Sequence, residues 1–142
     1  MIVVDASVAV KWFIPEPGEE DAGKLLSGTQ QLIAPALIRL EVTGALIRRF
    51  REGHLTEQRA REGAQTWETM LRNRILHLIP DAELYDDAVQ LAFLARHTLA
   101  DCLYLAAAKR LDTAVITADQ PMHDRGIRAY SKIEFLGGTQ MN

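Results

Sequence analysis

Four short apolar runs, mostly β-branched, punctuate the chain: Ile2-Val3-Val4, Leu32-Ile33-Ala34, Ile75 to Ile79 and Ala114-Val115-Ile116. Turn or capping residues bound each run, the pattern of buried strands. Between them apolar residues recur at helical spacing. VAVKWF follows Asp5 at once and predicts a first helix over Ala6 to Ile14. The stretch from Ala36 to about Glu52 carries Leu37, Leu40, Ala45 and Leu46, with Pro35 suited to a first turn and Gly53 to a stop. Thr56 then starts a helix running to about Leu71, so these two predict a helical hairpin. After Pro80, Ala82 to about Arg96 and Asp101 to Arg110 predict two more helices. Strands alternating with helices predict an α/β domain with a largely parallel central sheet and helices on both faces.

In such sheets, sites form beyond the carboxyl ends of the strands, and four acids fall where that edge would be. Asp5 directly follows the first strand, and Asp119 lies two residues past TAVIT. Glu41 and Asp101 sit on helices and join them only if those helices pack against the same edge. Each acid also has a plainer explanation. Asp5 makes a good helix N-cap, Asp101 completes a capping box with Thr98, and Asp119 before Pro121 suits a turn. Glu41, flanked by apolar residues within ALIRLEVTGAL, is harder to explain away, because a buried carboxylate requires a metal or a basic partner. Four converging carboxylates repel unless protonated or given a cation to share. Mg²⁺ or Mn²⁺, with their preference for oxygen ligands, would serve, and such a site is suited to hydrolysing phosphodiesters.

Composition adds three expectations. A chain of 142 residues with 48% hydrophobic content is the size of one domain, spanning 1–142. The net charge of −3 argues against nucleic acid, yet the segment from Arg39 to Arg74 holds eight arginines against five acids. Arg39, Arg48 and Arg49 are therefore candidates to hold an RNA backbone, although a solvated helix face is the simpler reading of any one arginine. No apolar run is long enough for a membrane span, the N-terminus lacks the form of a signal peptide, and the single Cys102 suits a reducing cytoplasm. Cys102 reads as a small buried residue rather than a nucleophile. His54, His77, His97 and His123 lack metal-ligand spacing; His77 reads as strand packing, and only His123 follows Asp119 closely enough to meet substrate. Trp12 and Phe13 read as core or dimer contacts rather than base-stacking platforms.

DASVAVKWF, LIAPALIRLEVTGAL, LADCLYLAAAKR and TAVITAD, in that order, resemble a PIN domain, specifically a VapC-type toxin ribonuclease of a type II toxin-antitoxin system. The resemblance implies a single PIN-like domain and a Mg²⁺- or Mn²⁺-dependent endoribonuclease that hydrolyses RNA with a metal-activated water. It also implies a cognate antitoxin and a homodimer. Carried over residue by residue, Asp5, Glu41, Asp101 and Asp119 are the catalytic and metal-binding acids, with Ser7 and Thr117 supporting them. Two departures stand out: Gly44, where many relatives have Asn, and Gln120-Pro121, where relatives often carry a basic or polar residue. The hairpin and the first helix are the expected antitoxin face. The alternative is a non-catalytic PIN-fold binding module or scaffold, which would be expected to lose acids; none is lost.

Overall fold

The computed structural model describes residues 1–138. Its sheet is formed by β1 (Ile2–Val4), β2 (Leu32–Pro35), β3 (Leu76–Ile79), β4 (Val115–Thr117) and β5 (Ile133–Phe135), in the order β3-β2-β1-β4-β5. Every pairing is parallel, with Ile2 opposite Leu32 and Val3 opposite Val115. The expected largely parallel sheet is thus present, with one strand more than the apolar runs predicted.

The helices are α1 (Ala6–Ala9), α2 (Glu19–Ser27), α3 (Ile38–Arg51), α4 (Glu57–Arg72), α5 (Asp81–Ala95), α6 (Leu99–Leu111) and α7 (Gln120–Gly126). Connections run outward from β1 to β2 and β3, then return across the sheet to β4 and β5. Right-handed crossovers therefore put α1 to α4 on one face and α5 to α7 on the other. The order reverses between β1 and β4, which opens a crevice past their carboxyl ends.

Burial follows from this layering. In α6 every residue from Cys102 to Ala108 is buried, because the helix packs on β1, β2 and β4 while α5 covers its other side. Trp67 of α4 is fully buried and clamps the hairpin by donating its indole N–H to the Arg39 carbonyl at 3.2 Å. Phe13 stands edge-on to Trp67 at 5.9 Å between ring centroids, and Trp12 lies tilted at 6.3 Å. Both are partly buried and pack against the core.

Several sequence expectations are corrected. The first helix is a single turn, α1, tightening into a 3-10 turn at Val10–Trp12. α2, α7 and β5 were not anticipated. His77 is on β3 as expected, but β3 is an edge strand and the imidazole is exposed rather than packed. Asp119 and Pro121, expected in a turn, instead start α7, Asp119 as its N-cap and Pro121 in its first turn, as the fixed φ and missing N–H of proline favour.

Candidate active site

The crevice between β1 and β4 is a cleft of about 420 Å³ whose lining includes Asp5, Ser7, Glu41, Asp101 and Asp119. All four acids stand at helix N-termini. Asp5 and Asp119 are the N-caps of α1 and α7, while Glu41 and Asp101 lie in the first turns of α3 and α6. Glu41 is thus not mid-helix, as its flanking sequence suggested.

Asp5 does not cap its helix with its side chain. It is 4% exposed and turns instead toward two hydroxyls. Ser7 Oγ donates to Asp5 Oδ2 at 2.5 Å and Thr117 Oγ1 donates to the same oxygen at 2.9 Å. Each hydroxyl in turn accepts a backbone N–H, Ser7 from Ala118 at 2.9 Å and Thr117 from Asp119 at 3.0 Å. With an N–H to accept, each hydroxyl proton is directed at Asp5. Burial pushes the Asp5 pKa up to about 7, the charges of Asp101 and Glu41 adding to it against the two hydroxyl hydrogen bonds.

The other acids are held by single donors. Glu41 Oε1 accepts the Tyr104 hydroxyl at 2.6 Å, so a neutral phenol rather than a basic residue satisfies it. Burial nonetheless raises the Glu41 pKa, with Asp101 contributing. Burial and the surrounding carboxylates raise that of Tyr104 as well, so the phenol stays a donor. Asp101 Oδ2 is 2.5 Å from His97 Nε2, and Asp119 Oδ1 accepts the Met122 N–H at 3.2 Å. Among the described residues each carboxylate thus has one oxygen engaged, while Asp5 Oδ1, Glu41 Oε2, Asp101 Oδ1 and Asp119 Oδ2 accept no hydrogen bond. Among the described residues no group of three or more His, Cys, Asp or Glu side chains stands close enough together to hold a metal ion as placed. The donor set, all carboxylate oxygen with free valences in an open cleft, suits a hard divalent cation that keeps part of its water shell.

The PIN domain family model matches residues 2–126. This chain belongs to the PIN domain family. Ribonuclease VapC3 of Pyrobaculum aerophilum is 30% identical to this PIN domain over 125 residues, covering 87% of the chain and 93% of that relative. Ribonuclease VapC9 of Mycobacterium tuberculosis is 28% identical over 126 residues, covering 89% and 91%. The crystal structure of Mycobacterium tuberculosis VapC20, described as a sarcin-ricin loop cleaving toxin, superposes with a TM-score of 0.66 at 17% identity, over 89% of this chain and 95% of that one. A second crystal structure, from Pyrobaculum aerophilum, gives 0.64 at 17% identity over 96% and 89%.

The remaining candidates in this PIN domain separate clearly. Arg48 and Arg49 line the cleft, but Arg39 does not; it pairs with Glu68 on the outside of the hairpin. His123 packs edge-on to Phe135 at 6.0 Å and is not part of the cleft lining. Cys102 is buried, and burial lifts its thiol to about 11, which removes it as a nucleophile at neutral pH. A Cβ at Gly44 would meet nothing within 4 Å, so the glycine leaves open space on α3 rather than a strained contact. Sequence reasoning missed His97, Tyr104, Lys11 and Glu16. Only the i,i+4 spacing of His97 and Asp101 could have signalled one of them.

Proposed function

We propose that this chain is a single-domain, cytoplasmic endoribonuclease, the toxin of a toxin-antitoxin pair, that hydrolyses RNA phosphodiester bonds with a divalent cation held by Asp5, Glu41, Asp101 and Asp119. The observation that carries the reading is the convergence of four carboxylates in one cleft, each with one oxygen fixed by a protein donor and one left free. Membership of the PIN family and likeness to VapC ribonucleases support the same activity. Bound there, Mg²⁺ or Mn²⁺ supplies positive charge against the charge that builds on the phosphate and makes a nearby water more acidic.

The protein's own groups fix the geometry. Ser7 and Thr117 lock Asp5, Tyr104 orients Glu41, and His97 orients Asp101, so the acids need little rearrangement when substrate arrives. Glu41, whose pKa burial raises from its ordinary value, is suited to take the proton from the attacking water. Arg48 and Arg49 on the cleft wall face the charge of the RNA backbone.

Two protein partners fit the surface. The apolar groove between α3 and α4, lined by Ile47, Phe50, Ala60 and Ala64, supports the hairpin as the seat of a cognate antitoxin. Exposed Tyr85, Phe93 and Leu94 on α5, at 54%, 82% and 63%, support a homodimer through that helix. No single helix among the described residues is long and apolar enough to cross a membrane.

The deciding experiment incubates total cellular RNA with purified protein and Mg²⁺ or Mn²⁺, beside an EDTA control and an Asp5→Asn, Asp101→Asn double variant. Metal-dependent cutting at discrete positions, absent from the variant, is expected. Equal cutting by the variant would remove the acids from the mechanism. No cutting by well-folded, antitoxin-free protein on any cellular RNA would return the scaffold reading.

A further inference from the structure

The cleft that holds the four acids is also lined by Lys11, Arg48 and Arg49 together with a fifth acid, Glu16. Glu16 bridges two of these cations. Its Oε1 accepts from Lys11 Nζ at 3.0 Å and its Oε2 accepts from Arg49 Nη2 at 2.6 Å. Lys11 also donates to the Pro17 carbonyl at 2.8 Å. The side chains are 12%, 17% and 29% exposed for Lys11, Glu16 and Arg49, so the cluster is mostly withdrawn from water and only modestly screened.

The charge count is the informative point. Two cations share one carboxylate, so one positive charge in this partly desolvated position is left without a paired acid of its own. A tie between the loop after the 3-10 turn and α3 would need only one of them. Donors are also in surplus. Lys11 uses two of its three N–H groups and Arg49 one of its five, and the rest make no hydrogen bond among the described residues. A single phosphodiester, with one negative charge and two acceptor oxygens, is complementary to that surplus.

We propose that Lys11 and Arg49 form a backbone-phosphate subsite for the RNA strand beside the acidic centre, and that Glu16 is the positioning residue that holds the two cations at a fixed separation. The inference rests on the ribonuclease reading and adds to it where the strand is gripped. Four carboxylates repel an approaching RNA backbone; cations lining the same cleft draw in one phosphate and so favour placing its neighbour at the acids. Glu16 has a diagnostic sign. Removing its charge makes the protein more positive, which by simple attraction would tighten RNA binding, whereas loss of positioning weakens it.

The test is binding of a short labelled single-stranded RNA, by fluorescence anisotropy in EDTA across a NaCl series, for wild type, Lys11→Ala, Arg49→Ala, Glu16→Gln, Glu16→Asp and Arg39→Ala. Thermal melting reports folding of each, and KM and kcat are measured with Mn²⁺. Lys11→Ala and Arg49→Ala should each lower the slope of log affinity against log salt by about 0.7. Glu16→Gln should weaken binding about tenfold and raise KM with little change in kcat, Glu16→Asp should recover part of this, and Arg39→Ala should change nothing. Unchanged salt slopes in folded Lys11→Ala and Arg49→Ala, while wild type still cuts RNA, would sink the subsite alone. Tighter binding by Glu16→Gln would overturn the positioning role. Wild type that neither binds nor cuts RNA would sink the ribonuclease reading and the subsite with it.

Discussion

Replacing Asp5 with Asn should stabilise the metal-free protein, by an amount that grows as the pH rises. The carboxyl is 4% exposed, and burial, followed by its acidic neighbours, lifts its pKa from the ordinary 3.8 to about 7. Folding therefore favours the protonated form. Between pH 3.8 and about 7 the folded protein holds a proton that the unfolded chain has released, so stability falls as the pH rises through that window and is flat above it. At about 1.4 kcal/mol per pKa unit, the whole loss approaches about 4 kcal/mol. Asparagine keeps an acceptor for Ser7 and Thr117 but has no charge to bury, and its amide would lie beside the carboxylates of Glu41 and Asp101. The assay is thermal unfolding of both proteins in EDTA at several pH values, then with Mn²⁺. Near pH 4 the two should melt together. At pH 8 the variant should melt about 8 to 16 °C higher, on a slope of about 2 to 4 °C per kcal/mol. Mn²⁺ should raise the wild type and leave the variant almost unmoved. A variant less stable than wild type at pH 8 in EDTA would refute the reasoning, since the hydroxyl hydrogen bonds would then outweigh burial.

Tyr104→Phe removes the phenol that holds Glu41 Oε1 and should lower kcat about tenfold while costing about 1 to 2 kcal/mol of stability; unchanged turnover would mean Glu41 needs no orientation. His97→Gln, which loosens Asp101, should weaken Mn²⁺ affinity about 10- to 100-fold by titration, with an unaltered affinity ruling out an orienting role. Gly44→Ala should gain about 1 kcal/mol in chemical denaturation with cleavage unaffected, because the position is within α3 and a Cβ there meets nothing within 4 Å.

The parts of the fold that could be read from sequence were those where burial writes a strong pattern. β1, β2 and β4 are buried at every position, so their apolar runs survive as a signal. β5 leaves Glu134 exposed within three residues, which gives neither a run nor a clear alternation. In α2 only Ala22 is buried, and in nine residues only Ala22, Leu25 and Leu26 are apolar, too short a stretch to stand out; its three first-turn acids after Pro17-Gly18 were the available cue. α7 hid behind a turn reading of Asp119-Gln120-Pro121, although an N-cap acid followed by a first-turn proline is also how helices start. The site shows the same division. Acids at strand ends and helix starts are legible because topology alone places them. Among their orienting partners, Ser7 and Thr117 were legible through the family resemblance and His97 through its i,i+4 spacing to Asp101, but Tyr104 meets Glu41 across 63 positions, and in the cationic cluster Glu16 meets Arg49 across 33, distances over which no local pattern forms.

Topology also explains how one cleft tolerates so many carboxylates. In an all-parallel sheet each helix that follows a strand begins at the same edge, so the N-termini of α1, α3 and α7 converge there, and α6 brings its own across from α5. Each helix start presents unpaired backbone N–H groups with partial positive charge, favouring a nearby anion by about 0.3 to 1 kcal/mol. Every one of the four acids stands at such a start. The hydroxyl relays add a second link, since Ser7 belongs to α1 while Thr117 ends β4, and both reach one oxygen of Asp5 at the end of β1. The pairing of β1 with β4 is therefore also what sets the Asp5 rotamer. Slipping that register by one residue would turn Thr117 to the opposite face, leave Asp5 with a single hydroxyl donor, and push its proton affinity higher still.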